Sequence, residues 1–479
     1  MSAPRIQNPL APAWLTAPND ANELVAGLWS TGVARDDRGE LVVAGVSASE
    51  LAERFGTPLY VIDEQFVRDQ AARVREVFDL EAARIGTTAV VYYAGKAFLS
   101  TEIVRWVVEA GLKVDVASGG ELAVALAAGV DPALIGVHGN NKSVAEIERA
   151  VRVGVGTIVV DAPIEVERVA AAARAAGVVQ RVRLRVNSGV HAHTHEFLAT
   201  AHEDQKFGIT IADAPSVVAQ IRSHDSLDFL GLHCHIGSQI FGTAAFAESA
   251  TRLLELHAVL SEIAPVPQLN LGGGFGIAYT PADSPPHIDE VAESMMSAIA
   301  NECARLQIPV PLIAVEPGRA IVGPGGFTLY RVGVTKDVSV EVDGDGTGPT
   351  SALRKYVSVD GGMSDNARPA LYGADYSVRI ANRSSKADPV LVRVAGKHCE
   401  SGDIVINADY LPGDVAPDDL LAVPATGAYC FSLSSNYNYL ARPPVVAVRD
   451  GIARVIVRGE TEADLLSRDA GIPAAKDNS

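Results

Sequence analysis

The stretch TTAVVYYAGKAFLSTEIVRWVVEAGLKVDVAS, residues 87–118, holds one complete unit of the pattern that decides the fold. Its first part, TTAVVYYAGKA, is rich in β-branched and aromatic residues and reads as a strand. STEIVRWVVEAG then places apolar residues every three or four positions, the spacing of an amphipathic helix. LKVDVAS returns to strand character. The same alternation runs from residue 64 to 320, through LIGVHG (134–139), TIVVD (157–161), RVRLRVN (181–187), LDFLGLHCH (227–235), QLNLGGG (268–274) and PLIAVE (311–316). Helical segments such as SVAEIERAVRVG and FAESATRLLELHAVLSEIA separate most of these runs. Eight strands with helical crossovers over about 250 residues predict an α/β fold of the (β/α)8 TIM type, with a doubly wound open sheet as the runner-up. TPLYVID (57–63) is surplus to the eight and reads as a link from another unit.

Beyond Glu316 the texture changes to short strands separated by Gly, Pro and Asp turns, as in KYVSVDGG, PVLVRVAGKHCESGDIVI and PPVVAVRDGIARVIV. This predicts a separate all-β domain, which GELVVAG (39–45) joins, making it discontinuous in sequence. The expected division is a flexible, proline-rich lead-in (1–24), N-terminal strands joining the β-domain (25–63), the barrel (64–320) and the C-terminal β-domain (321–479).

The chain's 479 residues exceed one typical domain, and 48% apolar with 20% charged residues is a globular balance. A formal charge of −18 argues against binding nucleic-acid phosphates, which takes clustered Lys and Arg. Cys234, Cys303, Cys399 and Cys430 are too widely spaced for a disulfide framework or a zinc site. No run reaches the ~18 apolar residues of a membrane span. The expectation is a soluble, cytoplasmic protein with neither metal nor membrane partner.

On a barrel, chemistry is assembled where strands end at the C-terminal face. Those ends carry Lys96, Asp115, the HCHIGS run with His233 and His235, the glycines Gly272, Gly273 and Gly274, and EPGR with Glu316. A glycine row after the seventh strand lets backbone N–H groups approach an anion, which favours a phosphorylated ligand over a plain turn. A partly buried lysine loses basicity and becomes a nucleophile toward carbonyl compounds; the bland reading is a lysine snorkelling to solvent. Together they suggest pyridoxal phosphate, whose ring nitrogen needs an acidic partner such as Glu316. His233 and His235 share one face by the period of two, and either imidazole could stack on the ring. The alternative, a pair of metal-ligating histidines, lacks a third ligand nearby.

YYAGKA, DVASGGEL, GLHCHIGSQ, LNLGGGFG, EPGR, KHCESGD and GAY follow one another in order between residues 92 and 429, within a resemblance that covers residues 25–460. In this order they resemble the pyridoxal-phosphate decarboxylases with an alanine-racemase-like barrel, and among them the branch that acts on diaminopimelate. The resemblance implies a homodimer with active sites at the subunit interface. It implies that Lys96 joins the cofactor aldehyde, His235 stacks on the ring and Glu316 faces its nitrogen. By the same resemblance Ser238, Gly272, Gly273, Gly274, Gly318, Arg319 and Tyr429 hold the cofactor. Cys399 in KHCESGD, arriving from the second subunit, then supplies the proton that replaces CO2; an ordinary thiol, with pKa near ~8.5, is protonated at neutral pH. A buried structural cysteine is the bland alternative. The resemblance further implies that Glu400 meets the substrate ammonium, that Arg368, Tyr372 and Arg319 meet its distal carboxylate, and that Tyr429 also binds substrate. The implied reaction converts meso-2,6-diaminopimelate to L-lysine and CO2. A decarboxylase of ornithine or arginine, an amino-acid racemase and a non-catalytic cofactor-binding paralogue are the alternatives. HAHTHE (191–196) reads as a mobile loop near the substrate rather than a metal site. Asp115 and Arg185 stay undecided between supporting Lys96 and filling the barrel, and GNNKS (139–143) receives no role. Cys234 is expected to point into the helix layer and Cys303 into the core.

Overall fold

The computed structural model describes residues 8–190, 206–342 and 350–472. The chain forms two compact units, Val67–Ile277 with Ser284–Val322, and Met1–Phe66 with Ala278–Asp283 and Gly323–Ser479.

The first unit is the barrel. Its strands are β1 (Ala89–Ala94), β2 (Lys113–Val116), β3 (Ile135–Val137), β4 (Thr157–Val160), β5 (Gln180–Asn187), β6 (Leu227–His233), β7 (Gln268–Asn270) and β8 (Leu312–Val315). All pair in parallel with their neighbours, and β8 pairs back onto β1 with Ile313 opposite Ala89, so the sheet closes. That last pairing decides for the barrel and against the open sheet. An unanticipated short strand, Ile209–Thr210, pairs beside the end of β5.

Serine caps fix where the chain turns from strand to helix. The Oγ atoms of Ser100, Ser118 and Ser143 accept from the backbone N–H of Ile103, Glu121 and Glu146, and Ser143 with Glu146 completes a reciprocal capping box. Each such cap satisfies an N–H that the first helical turn leaves unpaired, typically worth about 1 kcal/mol. The helix Thr101–Glu109 then buries Ile103, Val104, Trp106 and Val107. Each large side chain so buried contributes roughly 1.5–3 kcal/mol. Cys234 follows β6 and its Sγ lies 3.1 Å from Ser249 Oγ on the helix Ala244–Ser261, while Cys303 is buried on the helix Ile288–Leu306.

The second unit is built on the long strand Gly326–Val342, antiparallel to Thr350–Val359, Leu420–Pro424 and Leu59–Asp63. Leu59–Asp63, buried throughout, also runs parallel to Val445–Arg449. The supposed link TPLYVID is therefore an interior strand of this sheet, because both of its faces are apolar and both edges find partners. GELVVAG does not join the large sheet. Its Leu41–Val43 pairs instead with Val33–Arg35 and Val46–Ser47 in a separate three-stranded sheet. Leu41 and Val43 pack with Leu59, Val61, Phe327 and Val446 in one core. The described part of the proline-rich lead-in is also anchored, with Leu15 buried against Leu391, Ala408 and Tyr410.

Asp365 is buried in this unit, accepting from the Gly362 N–H at 2.8 Å and bonded to the Tyr330 hydroxyl. Burial pushes its carboxyl up from 3.8 to about 7. A folded-state pKa raised above the unfolded one stabilises fully below pH ~4, and this stability is lost as pH rises through about 7. Asp365→Asn removes the charge, so its unfolding midpoint in denaturant should fall less between pH 6 and 8 than that of the wild type. Parallel declines would contradict this account.

Candidate active site

The C-terminal ends of the barrel strands enclose a cavity of about 480 Å³, whose wall includes Lys96, Asp115, His138, Arg185, His233, His235, Ser238 and Glu316. A larger groove of about 890 Å³, at residues 19–24 and 384–389 of the sheet unit, is open and lined by chain segments far from these groups in sequence. The barrel cavity is the one that gathers an amine, carboxyls and imidazoles, the mixture acid–base chemistry uses.

Glu316, just past β8, is the most constrained of these groups. Asn270 Nδ2 donates to its Oε1 at 2.7 Å, and His233 Nε2 lies 3.1 Å from the same oxygen. His138 Nε2, just past β3, stands 3.5 Å from Glu316 Oε1 and 3.2 Å from Asp115 Oδ1. Burial pushes both imidazoles down to about 4, with the facing Glu316 carboxylate opposing. Burial, and then the nearby Glu316 charge, raise Asp115 well above the carboxylate range. For Glu316 burial acts upward, but His233 and then His138 more than offset it and hold the carboxylate low. Two facing buried carboxyls do not both ionise. The proton resides on Asp115 and the charge on Glu316.

Lys96 sits in a short 3-10 turn directly after β1, reaching into the cavity, where water has access but protein surrounds it. Burial lowers its pKa below 10.5, with Glu316 opposing. This is the direction that makes an amine nucleophilic. His235 lies beyond the end of β6, and its Nδ1 accepts from the Gly273 N–H at 3.3 Å, which leaves the proton on Nε2. The glycine row has a steric cause as well. A Cβ on Gly273 would lie 2.2 Å from Glu316 O, and one on Gly274 2.5 Å from Gly237 O. Gly318 likewise approaches β1, its added Cβ falling 2.8 Å from Ala94 O. Arg319 Nη2 donates to Ser238 Oγ at 2.8 Å, joining the loops after β6 and β8. The barrel thus brings together Lys96, His235, Ser238, Gly272–Gly274, Glu316, Gly318 and Arg319.

Cys399, Glu400, Arg368, Tyr372 and Tyr429 belong to the sheet unit. Cys399 and Glu400 are exposed on the turn between the strands Pro389–Ala395 and Ile404–Pro412. Arg368 is buried; it bonds the Tyr376 hydroxyl, and its guanidinium carbon lies 4.3 Å from the Tyr279 ring centre. Tyr372, one helical turn on, is 69% exposed and so does not share that buried position. Tyr429 holds a φ of 62°, a left-handed backbone rarely taken by a bulky side chain and found most often at functional sites.

Three features were not foreseen from sequence. His138 and Asn270 were not singled out, although a histidine at the end of LIGVHG stands where a barrel places its reactive groups. A group other than the His233–His235 pair comes together instead: His138, His233 and Glu316 bring donor atoms within 4.8 Å of one another, without His235. Sequence spacing could not show this, because β3, β6 and β8 meet only through barrel closure. GNNKS contains Lys142, buried and paired with Glu165 at 2.9 Å. HAHTHE lies outside the described residues.

Residues 67–323 match the family profile "Pyridoxal-dependent decarboxylase, pyridoxal binding domain". A diaminopimelate decarboxylase of Mycobacterium tuberculosis is 50% identical over 457 residues, 94% of this chain and 99% of that protein. That of Bacillus subtilis is 42% identical, covering 91% of this chain and 97% of its own length. This chain belongs to the diaminopimelate decarboxylases. The structure of the M. jannaschii diaminopimelate decarboxylase in complex with L-lysine superposes with a TM-score of 0.83 at 30% identity, over 93% of this chain and 98% of that one. The cavity suits the family's pyridoxal cofactor. It offers a lysine of lowered basicity for the aldehyde, an ionised carboxylate fixed by Asn270 and His233 for the ring nitrogen, and an imidazole wall. Among the described residues, no helix is long and apolar enough to cross a membrane.

Proposed function

We propose that this chain decarboxylates meso-2,6-diaminopimelate to L-lysine and CO2, with pyridoxal 5'-phosphate in the barrel cavity. The observation that carries this reading is the convergence of Lys96, His235 and Glu316 on one cavity in a chain of this family. The cofactor, when bound, supplies a sink for the electron pair left at the substrate carbon as CO2 departs. Lys96 Nζ fixes the aldehyde end, and Glu316 holds a proton at the ring nitrogen. His235 covers the ring face. Ser238 and the Gly272–Gly274 turn hold the phosphate, and Gly318, Arg319 and Tyr429 also bind the cofactor.

Cys399 Sγ donates the proton that takes the place of CO2, and Glu400 receives the distal ammonium. Arg368, Tyr372 and Arg319 meet the distal carboxylate, and Tyr429 also binds substrate. A guanidinium has five N–H donors, so the Arg368 bond to Tyr376 leaves capacity for a forked carboxylate contact. Cys399 and Glu400 come from the second copy in a homodimer; the exposed Leu371, Tyr372 and Tyr439 are apolar surface of the kind such an interface covers. The four free cysteines suit the reducing cytoplasm.

Purified protein with pyridoxal phosphate should release CO2 and lysine from meso-diaminopimelate, and far less CO2 from ornithine or arginine. Absence of lysine would overturn the proposal. Arg368→Ala should raise KM for meso-diaminopimelate by about 30-fold or more, the usual cost of removing a charge-assisted partner. An unchanged KM would remove Arg368 from the substrate site.

A further inference from the structure

We infer that His398 is a positioning residue for Cys399, holding the proton-donor turn against the segments that carry Arg368 and Tyr429. The inference rests on the reading of Cys399 as proton donor. In KHCESGD, Lys397, Cys399, Glu400, Ser401 and Gly402 are exposed, whereas His398 and Asp403 are 8% and 2% exposed. Two buried side chains therefore pin a turn that otherwise faces outward.

Asp403 fixes the base of the turn. Its carboxylate accepts from the His398 N–H at 2.8 Å and the Met363 N–H at 2.6 Å. Glycines make room for it, since a Cβ on Gly396 or Gly362 would lie 2.2 or 2.4 Å from its oxygens. His398 fixes the top. Its Nε2 lies 2.8 Å from Ser364 Oγ, its Nδ1 lies 3.1 Å from Asn438 Oδ1, and its ring stacks on Tyr437 at 5.3 Å between centres. Asn438 Oδ1 also accepts the Cys399 N–H at 3.4 Å. That oxygen only accepts, so the His398 proton resides on Nδ1 and Nε2 receives the Ser364 hydroxyl. Both ring nitrogens of a neutral imidazole are then used, and the orientation is unique.

What sets this apart from an ordinary buried histidine is the identity of the segments it joins. Ser364 lies four residues before Arg368, and Asn438 nine residues after Tyr429. One imidazole thus ties the donor turn, which serves the site of the second copy, to the two segments that carry Arg368 and Tyr429 for this copy's own site. A proton donor displaced by about 1 Å costs up to about a hundredfold in rate.

The test is a mutant cycle on the cofactor-loaded enzyme. His398→Ala should lower kcat about tenfold or more with KM changed less than threefold, and leave the bound-cofactor absorption band unaltered. His398→Asn, which can keep the Nδ1-side bond to Asn438, should recover most of the loss. Asn438→Gly removes the exposed amide while tolerating the φ of 52° there, so it tests the same contact without emptying a buried site. It should lower kcat in the same direction. In a Cys399→Ala background none of these changes should cost anything further. A wild-type kcat in His398→Ala and Asn438→Gly, or an equal fold-loss in both backgrounds, overturns the inference. A wild-type kcat in Cys399→Ala alone instead overturns the donor reading, and this inference with it.

Discussion

Lys96→Ala should lower decarboxylation of meso-diaminopimelate by about 10³–10⁴-fold, the usual scale for removing a group that acts as both nucleophile and proton carrier. The side chain reaches into the cavity, so the barrel should keep its thermal midpoint. Borohydride treatment of the wild-type enzyme with pyridoxal phosphate should label the peptide containing Lys96, and the variant should lose that label. Added methylamine should restore part of the rate by supplying an amine of similar reach. Turnover within tenfold of wild type, or a label mapped to another lysine, would displace Lys96 from its role.

Cys399→Ala should lower kcat by about 10²–10³-fold, within the range for losing a positioned general acid. Cys399 is an exposed residue of a turn in the sheet unit, so cofactor uptake by the barrel should remain unchanged. In D2O at steady state, CO2 release and deuterium incorporation at the reacting carbon should slow together in the variant if the thiol is the donor, since each turnover ends with that protonation. A normal rate of both in the variant would assign the proton to another group. Cys399→Ser replaces the thiol by a hydroxyl of similar shape but weaker acidity and should fall between the two.

Much of the architecture was legible because its cause is local. Each of the eight barrel strands lies within a stretch of apolar, β-branched residues that short-range periodicity identifies, and the serines before the helices mark where they begin. The glycine row and EPGR were legible for a similar reason, since close backbone approach admits few residue types. Lys96 and Glu316 stand out by their place at strand ends, whereas choosing His235 over His233 takes the family resemblance. The sheet unit was harder. Leu59–Asp63 reads as a link in the sequence because nothing local says that its two edges pair with Gly326–Val342 and Val445–Arg449, more than 250 residues away in sequence.

By itself, then, the sequence determined that strands and helices alternate, where they start, and which chemical groups stand at their ends, because these depend on neighbours within a few residues. The tertiary structure alone decided that β8 closes on β1, and so that Asp115, His138, His233, Asn270 and Glu316 form one buried network. It alone decided which carboxyl keeps the proton and that His398 holds Cys399. The reason is physical: burial and the field of facing charges act through space, and they exist only once segments distant along the chain are packed together.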